Sequence, residues 1–175
     1  MNNLKFSRTW AIPNSDTFNI KPINDFVLSY LSLSKISVDM FARNNCLSIY
    51  NNDLDFTTKA EYHMDAEVFL KMLYQKEIKA DLIIFDPPYS PRQISECYKK
   101  IGLNVGMKET QNAALYKRVK DAIIPICSDN AIVLSFGWNS CGMGKNNGFE
   151  QIEIMLCAHG GAHNDTICVA EQKIS

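Results

Sequence analysis

Four consecutive residues, Asp86-Pro87-Pro88-Tyr89, carry the sharpest chemical signal in the 175-residue sequence. They follow the apolar run Leu82-Ile83-Ile84-Phe85, which reads as a buried parallel strand. Two prolines can neither extend a strand ladder nor let a helix start at once. The turn is therefore stiff, and the Asp86 carboxylate is held where the strand ends. In open α/β sheets ligands bind at that carboxyl edge. A carboxylate there accepts hydrogen bonds and stabilises developing positive charge, while Tyr89 offers a flat face for stacking. At ordinary residue usage a given four-residue string arises about once in a thousand chains of this length. That rarity sets the turn apart from a bare strand ending with a buried tyrosine.

Three further aspartates sit beside turns. Asp39 lies in the run Ile36 to Phe41, a second short apolar strand, and either faces a ligand or simply ends the strand. Asp53 follows Asn51-Asn52. Asp65 precedes Ala66, Phe69, Leu70 and Leu73 at helical spacing, so it is also a natural helix N-cap.

The elements that must position these groups alternate. Ile23, Phe26, Val27, Tyr30 and Leu31 mark an amphipathic helix with Pro22 in its first turn. Another helix is expected over Ser90 to Lys100, followed by a loop containing Gly102 and Gly106. The next helix carries Leu115, Val119, Ala122, Ile123 and Ile126 on one face. Ala131 to Phe136 reads as a buried strand, Ser140 to Gly148 as a glycine-rich loop, and Phe149 to Cys157 with Thr166 to Glu171 as an antiparallel hairpin. Phe136-Gly137-Trp138 reads as packing in preference to a base-facing platform. The fold class is thus α/β, a mostly parallel sheet closed by a C-terminal antiparallel hairpin.

These residues resemble the S-adenosylmethionine-dependent amino-methyltransferases, whose signature is Asp/Asn/Ser-Pro-Pro followed by an aromatic residue. The pattern is similar to that of small phage and prophage adenine-specific DNA methyltransferases. The match covers most of the chain, including Ser90-Pro91-Arg92-Gln93 and Gly160 to Thr166. The resemblance implies a Rossmann-like methyltransferase sheet, S-adenosylmethionine as cofactor, and transfer to adenine N6 in DNA. Asp at the first signature position favours adenine over cytosine. It makes Asp86, Pro87, Pro88 and Tyr89 the catalytic set. A delocalised exocyclic amine needs two acceptors, the Asp86 carboxylate and the Pro87 carbonyl, to free its lone pair, and Tyr89 stacks on a flipped base.

The same resemblance assigns cofactor contacts to Asp39, Phe41, Ala42 and Arg43 after the first strand, with Asp39 on the methionine amino group and Arg43 on its carboxylate. Asp53 and Leu54 go to the ribose, Asp65 and Ala66 to the adenine ring, and Asp86 closes the site. The N-terminal segment, including Ile20, Lys21 and Pro22, wraps the methionine end. Two departures stand out. No glycine follows Asp39, and only 11 residues separate Phe41 from Asp53, too few for the usual crossover helix. The first helix of the standard plan must be missing or reduced to a turn.

Overall net charge is -1, which by itself points to no nucleic-acid partner. Residues 90–120, however, carry a net +5, leaving -6 elsewhere. Within this stretch Arg92, Lys99, Lys100, Lys117, Arg118 and Lys120 are the expected nucleic-acid contacts, against the alternative of a solvated face. Six scattered cysteines without a Cys-x-x-Cys pair read as reduced and structural. Cys157, His159 and His163 lack a fourth zinc ligand, and Gly144-Lys145 lacks the phosphate-loop pattern, so no metal is expected.

Length and composition suit a single domain, residues 1–175. Residues 1–35 form the cofactor-wrapping segment and helix, 36–89 the cofactor and catalytic half, and 90–175 the substrate-facing half. With no signal-like or membrane-spanning run, a cytoplasmic location in a bacterial or phage-infected cell is expected. No separate target-recognition segment is visible, leaving the loops 102–108 and 140–148. Longer specificity would call for a homodimer or a partner subunit. RNA adenine, a protein glutamine amide, and a non-catalytic cofactor-binding subunit stay open as alternatives.

Overall fold

The computed structural model describes residues 3–102 and 112–174. Gly106, Lys108 and Glu109, and with them most of the loop 102–108, lie outside the described residues. Among the described residues, seven strands and four α-helices follow one another as β1 (Lys5–Trp10), α1 (Lys21–Leu31), β2 (Ser37–Asp39), β3 (Tyr50–Asn51), α2 (Ala66–Gln75), β4 (Ala80–Phe85), α3 (Pro91–Lys100), α4 (Asn112–Ile123), β5 (Cys127–Gly137), β6 (Phe149–Ala158) and β7 (Thr166–Lys173). They build one sheet of order β1-β6-β7-β5-β4-β2-β3. Among these strands β7 alone runs antiparallel to its neighbours, β5 and β6, as the hairpin expectation required. β1 was not foreseen. Its residues add a parallel strand to the edge of β6, with Phe6 and Trp10 left exposed, so the segment lacks the burial that makes a strand recognisable.

Alternation along the strands explains the layers. In β4, Ile83 and Phe85 point to the face covered by α2 and α4, while Leu82 and Ile84 point to the face covered by α1. β5 divides in the same way, with Val133 on the first face and Leu134 and Phe136 on the second. Such two-faced burial makes the strands read as continuous apolar runs. Phe18 and Phe26 both pack edge-on against Phe136, seating α1 and the turn before it. Pro22 lies in the first turn of α1, and Ser90 caps α3 by accepting from the Gln93 amide. Among the described residues no helix is long and apolar enough to cross a membrane.

The crossover from β2 to β3 contains no helix. Residues 40–49 pass through bends and a turn, as the short spacing required. Strand β2 also stops two residues sooner than the apolar run suggested, because the Asp39 Oδ1 accepts the Phe41 N–H at 2.9 Å and turns the chain. A helix satisfies its own backbone groups; this loop depends on side chains instead. Asn52, fully buried, donates its Nδ2 to the carbonyls of Met40 (3.2 Å) and Met64 (2.9 Å) and accepts the Met64 N–H at 3.0 Å through Oδ1. Its backbone N–H bonds to the Asp39 carbonyl, and its carbonyl accepts from the Ala42 N–H.

Replacing Asn52 by Ala strands these polar groups in the interior. The expected cost is about 2 to 4 kcal/mol of unfolding free energy, from two or three buried hydrogen bonds removed. Urea unfolding measures it, and a loss below about 0.5 kcal/mol would show that the loop is held by other means.

Candidate active site

The carboxyl ends of β2, β3, β4 and β5 open onto one cavity of about 1020 Å³. Asp86, Pro87, Pro88 and Tyr89 line it where β4 ends. The Tyr89 hydroxyl donates to Asp86 Oδ1 at 2.5 Å, and Thr17 also hydrogen-bonds to this pair. Burial among protein atoms raises the Asp86 pKa to about 6, although the hydrogen bonds from Tyr89 and Thr17 and the charge of Arg43 all pull it down. Tyr89 is pushed well above its ordinary range, first by burial and then by the adjacent carboxylate. From the neighbouring helix, the Tyr116 hydroxyl donates to the Pro88 carbonyl at 3.1 Å and fixes the proline turn from behind. Asp86 and Pro87 thus line the cavity together on a stiff support.

Of the three other candidate aspartates, Asp53 and Asp65 line the cavity and Asp39 does not. Asp53 lines it; Oδ2 accepts the Arg43 N–H at 3.0 Å and Oδ1 the Asp55 N–H at 2.8 Å. Each oxygen keeps lone-pair capacity for a further donor. Asp65 also lines the cavity and caps α2 as its position suggested. The cap uses Oδ1, which accepts from Glu67 at 2.9 Å and Val68 at 3.4 Å, while Oδ2 lies 3.5 Å from the Tyr98 hydroxyl. Both roles weighed for Asp65 are compatible.

Asp39 is placed differently from Asp53 and Asp65. It is fully buried and is not among the residues that line the cavity, although Met40 and Phe41 directly after it do; its Oδ1 accepts the Phe41 N–H of its own loop. Burial raises its pKa well above the carboxylate range, and the charges of Asp86 and Asp53 push in the same direction. Ala42 is likewise buried, its N–H bonded to the Asn52 carbonyl. Lys21 and Pro22 form the first turn of α1 away from the cavity, with Lys21 paired to Asp25 at 2.7 Å. Ile20, Phe41, Arg43, Leu54 and Ala66 do line the cavity.

Arg43 adopts φ 51°, the left-handed conformation a glycine would ordinarily supply. Holding a non-glycine residue there costs about 1 to 2 kcal/mol. Its guanidinium ties down the N-terminal segment instead, with Nη1 2.7 Å from both the Ser15 carbonyl and Asp16 Oδ1. That segment reaches the cavity through Pro13, Asn14, Ser15 and Thr17.

The expected basic contacts do not form one face. Lys99 and Lys100 stand at the cavity, with Lys100 3.5 Å from Asp55. Lys117 and Lys120 face a separate groove, Arg118 reaches across to Glu67 at 3.0 Å, and Arg92 pairs with Glu96 along α3. Helical geometry separates them, since consecutive residues point about 100° apart.

Trp138 is a functional candidate that the sequence pattern assigned to packing. It is 45% exposed, lines the cavity and meets Tyr89 edge-on at 5.8 Å. The rule that located Asp86 at a strand's carboxyl end also locates Trp138, one residue past β5. Phe136 is buried, so packing holds for it. His159 has both ring nitrogens engaged, Nδ1 2.9 Å from the Ala11 carbonyl and Nε2 2.9 Å from the Thr166 hydroxyl, which orients it as a structural residue of the cavity wall.

At the level of sequence, neither a family profile nor a curated protein matches the chain. Solved structures do match in fold. TrmN from Thermus thermophilus superposes with a TM-score of 0.58 at 14% identity, covering 89% of this chain and 49% of its own. SMU.776 complexed with SAH gives 0.56 at 11% identity, covering 79% and 45%. NSun6 from Pyrococcus horikoshii with SFG gives 0.53 at 14%, covering 80% and 48%. The chain therefore spans about half the length of these proteins and shares with them the Rossmann-like methyltransferase fold.

The position of Asp86 predicts a pH signature. Its folded-state pKa of about 6 lies above the ordinary 3.8, so the native state holds this proton more tightly than the unfolded chain. Stability from this group is present at low pH and is lost as pH rises from about 4 through 6. In Asp86→Asn that component of the pH slope vanishes, and the variant gains on the parent above pH 6. Urea unfolding from pH 4 to 8 measures both; parallel curves would contradict the shift. Tyr89→Phe removes a donor to the carboxylate, so carbon-detected NMR should find Asp86 titrating higher in that variant than in the parent.

Proposed function

We propose that the chain is an S-adenosylmethionine-dependent methyltransferase acting on the exocyclic N6 amino group of adenine in DNA. The observation that supports this reading most is the Asp86 carboxylate, held between the end of β4 and a double-proline turn, bonded to Tyr89 and open to a cavity with a second and a third carboxylate, Asp53 and Asp65, on its wall. SAH in one fold neighbour is the demethylated form of that cofactor.

The donor set fits the cofactor. Asp53 suits the ribose hydroxyls, the Oδ2 of Asp65 suits the adenine amino group, and Phe41, Leu54 and Ala66 supply apolar contact beside them. Arg43 lines the cavity as a cation suited to the methionine carboxylate, although its Nη1 is committed to the N-terminal segment. The cofactor, when bound, supplies an electrophilic methyl group.

The protein's own residues prepare the nucleophile. Asp86 and the Pro87 carbonyl each accept one N–H of the target amine, drawing the nitrogen toward tetrahedral geometry and freeing its lone pair. The ionised Asp86 then stabilises the positive charge that grows on nitrogen during transfer. Because Tyr89 already donates to Asp86 Oδ1, the incoming amine must share or displace that hydrogen bond. Tyr89 and Trp138 provide aromatic surface for a base taken out of its stack. Among the cavity residues Lys99 and Lys100 supply positive charge that a phosphate could meet, Lys100 sharing its own with Asp55.

Asp86→Ala is expected to abolish transfer while leaving cofactor affinity within a few-fold, since the carboxylate acts on the attacking nitrogen. Asp53→Ala is expected to weaken cofactor binding by about 1.5 to 3 kcal/mol, the scale of a hydrogen bond to a charged group. Calorimetry with S-adenosylmethionine and a radiolabelled transfer assay on DNA separate the two effects. Undiminished turnover in Asp86→Ala would end the mechanism.

A further inference from the structure

A second groove, about 520 Å³, lies beside the cavity, with α4 as the wall between them. On one side of α4, Leu115 faces the cavity; on the other, Tyr116, Lys117 and Lys120 face the groove. The opposite wall is the loop after β5, through Met143, Gly144 and Lys145. The two openings are mechanically joined, because the Tyr116 that lines the groove donates its hydroxyl to Pro88 in the catalytic turn.

The loop wall is built rather than loose. Glu171, a fully buried acid in the interior strand β7, accepts the backbone N–H groups of Met143 and, at 2.9 Å, Gly144. Gly142 sits at φ 47°, and any Cβ there would overlap the Glu171 carboxylate, so the loop approaches as closely as a glycine allows. Lys120 donates its Nζ to the Gly142 carbonyl and faces Glu171, clamping α4 to the loop. The clamp fixes where Lys145 and Asn146 stand, both exposed, opposite Lys117. Three lysines face one acid in the groove, Asp121, which pairs with Lys117 at 2.7 Å.

We propose that this groove holds a backbone phosphate of the DNA substrate next to the base that enters the cavity, an inference that rests on the nucleic-acid reading above. With Lys120 facing Glu171 and Lys117 paired to Asp121, Lys145 leaves the open groove net positive, and an anion is the ligand class that such a groove selects. Its rigid attachment to the proline turn gives a phosphate bound there a fixed distance from Asp86, which is what positioning contacts require. Lys145, outside the basic stretch singled out in the sequence, becomes a phosphate contact together with Lys117, while Lys120 and Glu171 hold the wall.

The test is the salt dependence of binding to a DNA duplex by fluorescence anisotropy, on the full chain with S-adenosylmethionine present. The double variant Lys117→Ala/Lys145→Ala is expected to lower the slope of log K against log salt by about 0.9 for each phosphate it no longer neutralises. Lys35→Ala, exposed at the amino end of β2 and opposite the cavity, controls for a general loss of charge and should leave the slope unchanged. If the parent protein binds and methylates DNA but the double variant keeps its slope, or Lys35→Ala lowers it equally, the groove is not a phosphate site. If the parent neither binds nor methylates DNA, the nucleic-acid reading fails and this inference falls with it. A parallel arm with single-stranded RNA separates the two backbones; a slope lowered only with RNA would assign the groove to RNA and overturn the DNA proposal.

Discussion

The missing crossover helix is the constraint on which the rest of this site depends. Ten residues must carry the chain from β2 to β3, and no helix is there to satisfy their backbone. Two buried amides take over: Asn52 bonds to Met40 on one side and Met64 on the other, and Asn51 to Ser48 and Glu61. Those contacts bring the Phe41 to Arg43 loop, Asp53 and the Asp65 cap to one wall of the cavity. Arg43 bears in backbone strain the cost of the absent glycine, and its side chain fastens the N-terminal segment over the same wall.

Electrostatics then distinguish the carboxylates. Asp39, sealed beneath the loop, is pushed toward its neutral form, while Asp53 keeps two backbone amides as partners against its own burial. Asp86 is raised as well. Burial lifts it to about 6, and Tyr89, Thr17 and Arg43 keep it low enough to be ionised near neutral pH. A carboxylate that is charged yet incompletely solvated is the group best suited to accept an amine N–H and to offset charge on nitrogen, because little solvent must reorganise. Tyr89 in this view both guards the charge before substrate binds and offers its ring when a base arrives.

Much of this was legible in the sequence because the signals were local. The apolar run into Asp86-Pro87-Pro88-Tyr89 located the sheet edge where the cavity opens, Asp65 before an amphipathic run announced its cap, and the spacing from Phe41 to Asp53 left no room for a crossover helix. What was not legible depends on partners distant in sequence. β1 is a strand only because β6 lies beside it, and Thr17 reaches Asp86 only through the packing of α1. The inward burial of Asp39 follows from where β2 sits in the sheet, which its own neighbours do not encode. Glu171 left a readable trace, an acid within an apolar strand, yet its partners in the 142–144 loop emerge only from the tertiary structure. The basic stretch misled by treating one charged run as one surface, when α4 turns its lysines and its arginine to different sides.

The central claim is that the amine bonded to Asp86 is adenine N6. The most direct measurement incubates the purified chain with methyl-labelled S-adenosylmethionine and DNA, digests the product to nucleosides and identifies the labelled species by mass spectrometry. The account predicts N6-methyladenine, present with the parent protein and absent with Asp86→Ala. Label in another nucleoside, or equal label in both proteins, would contradict it.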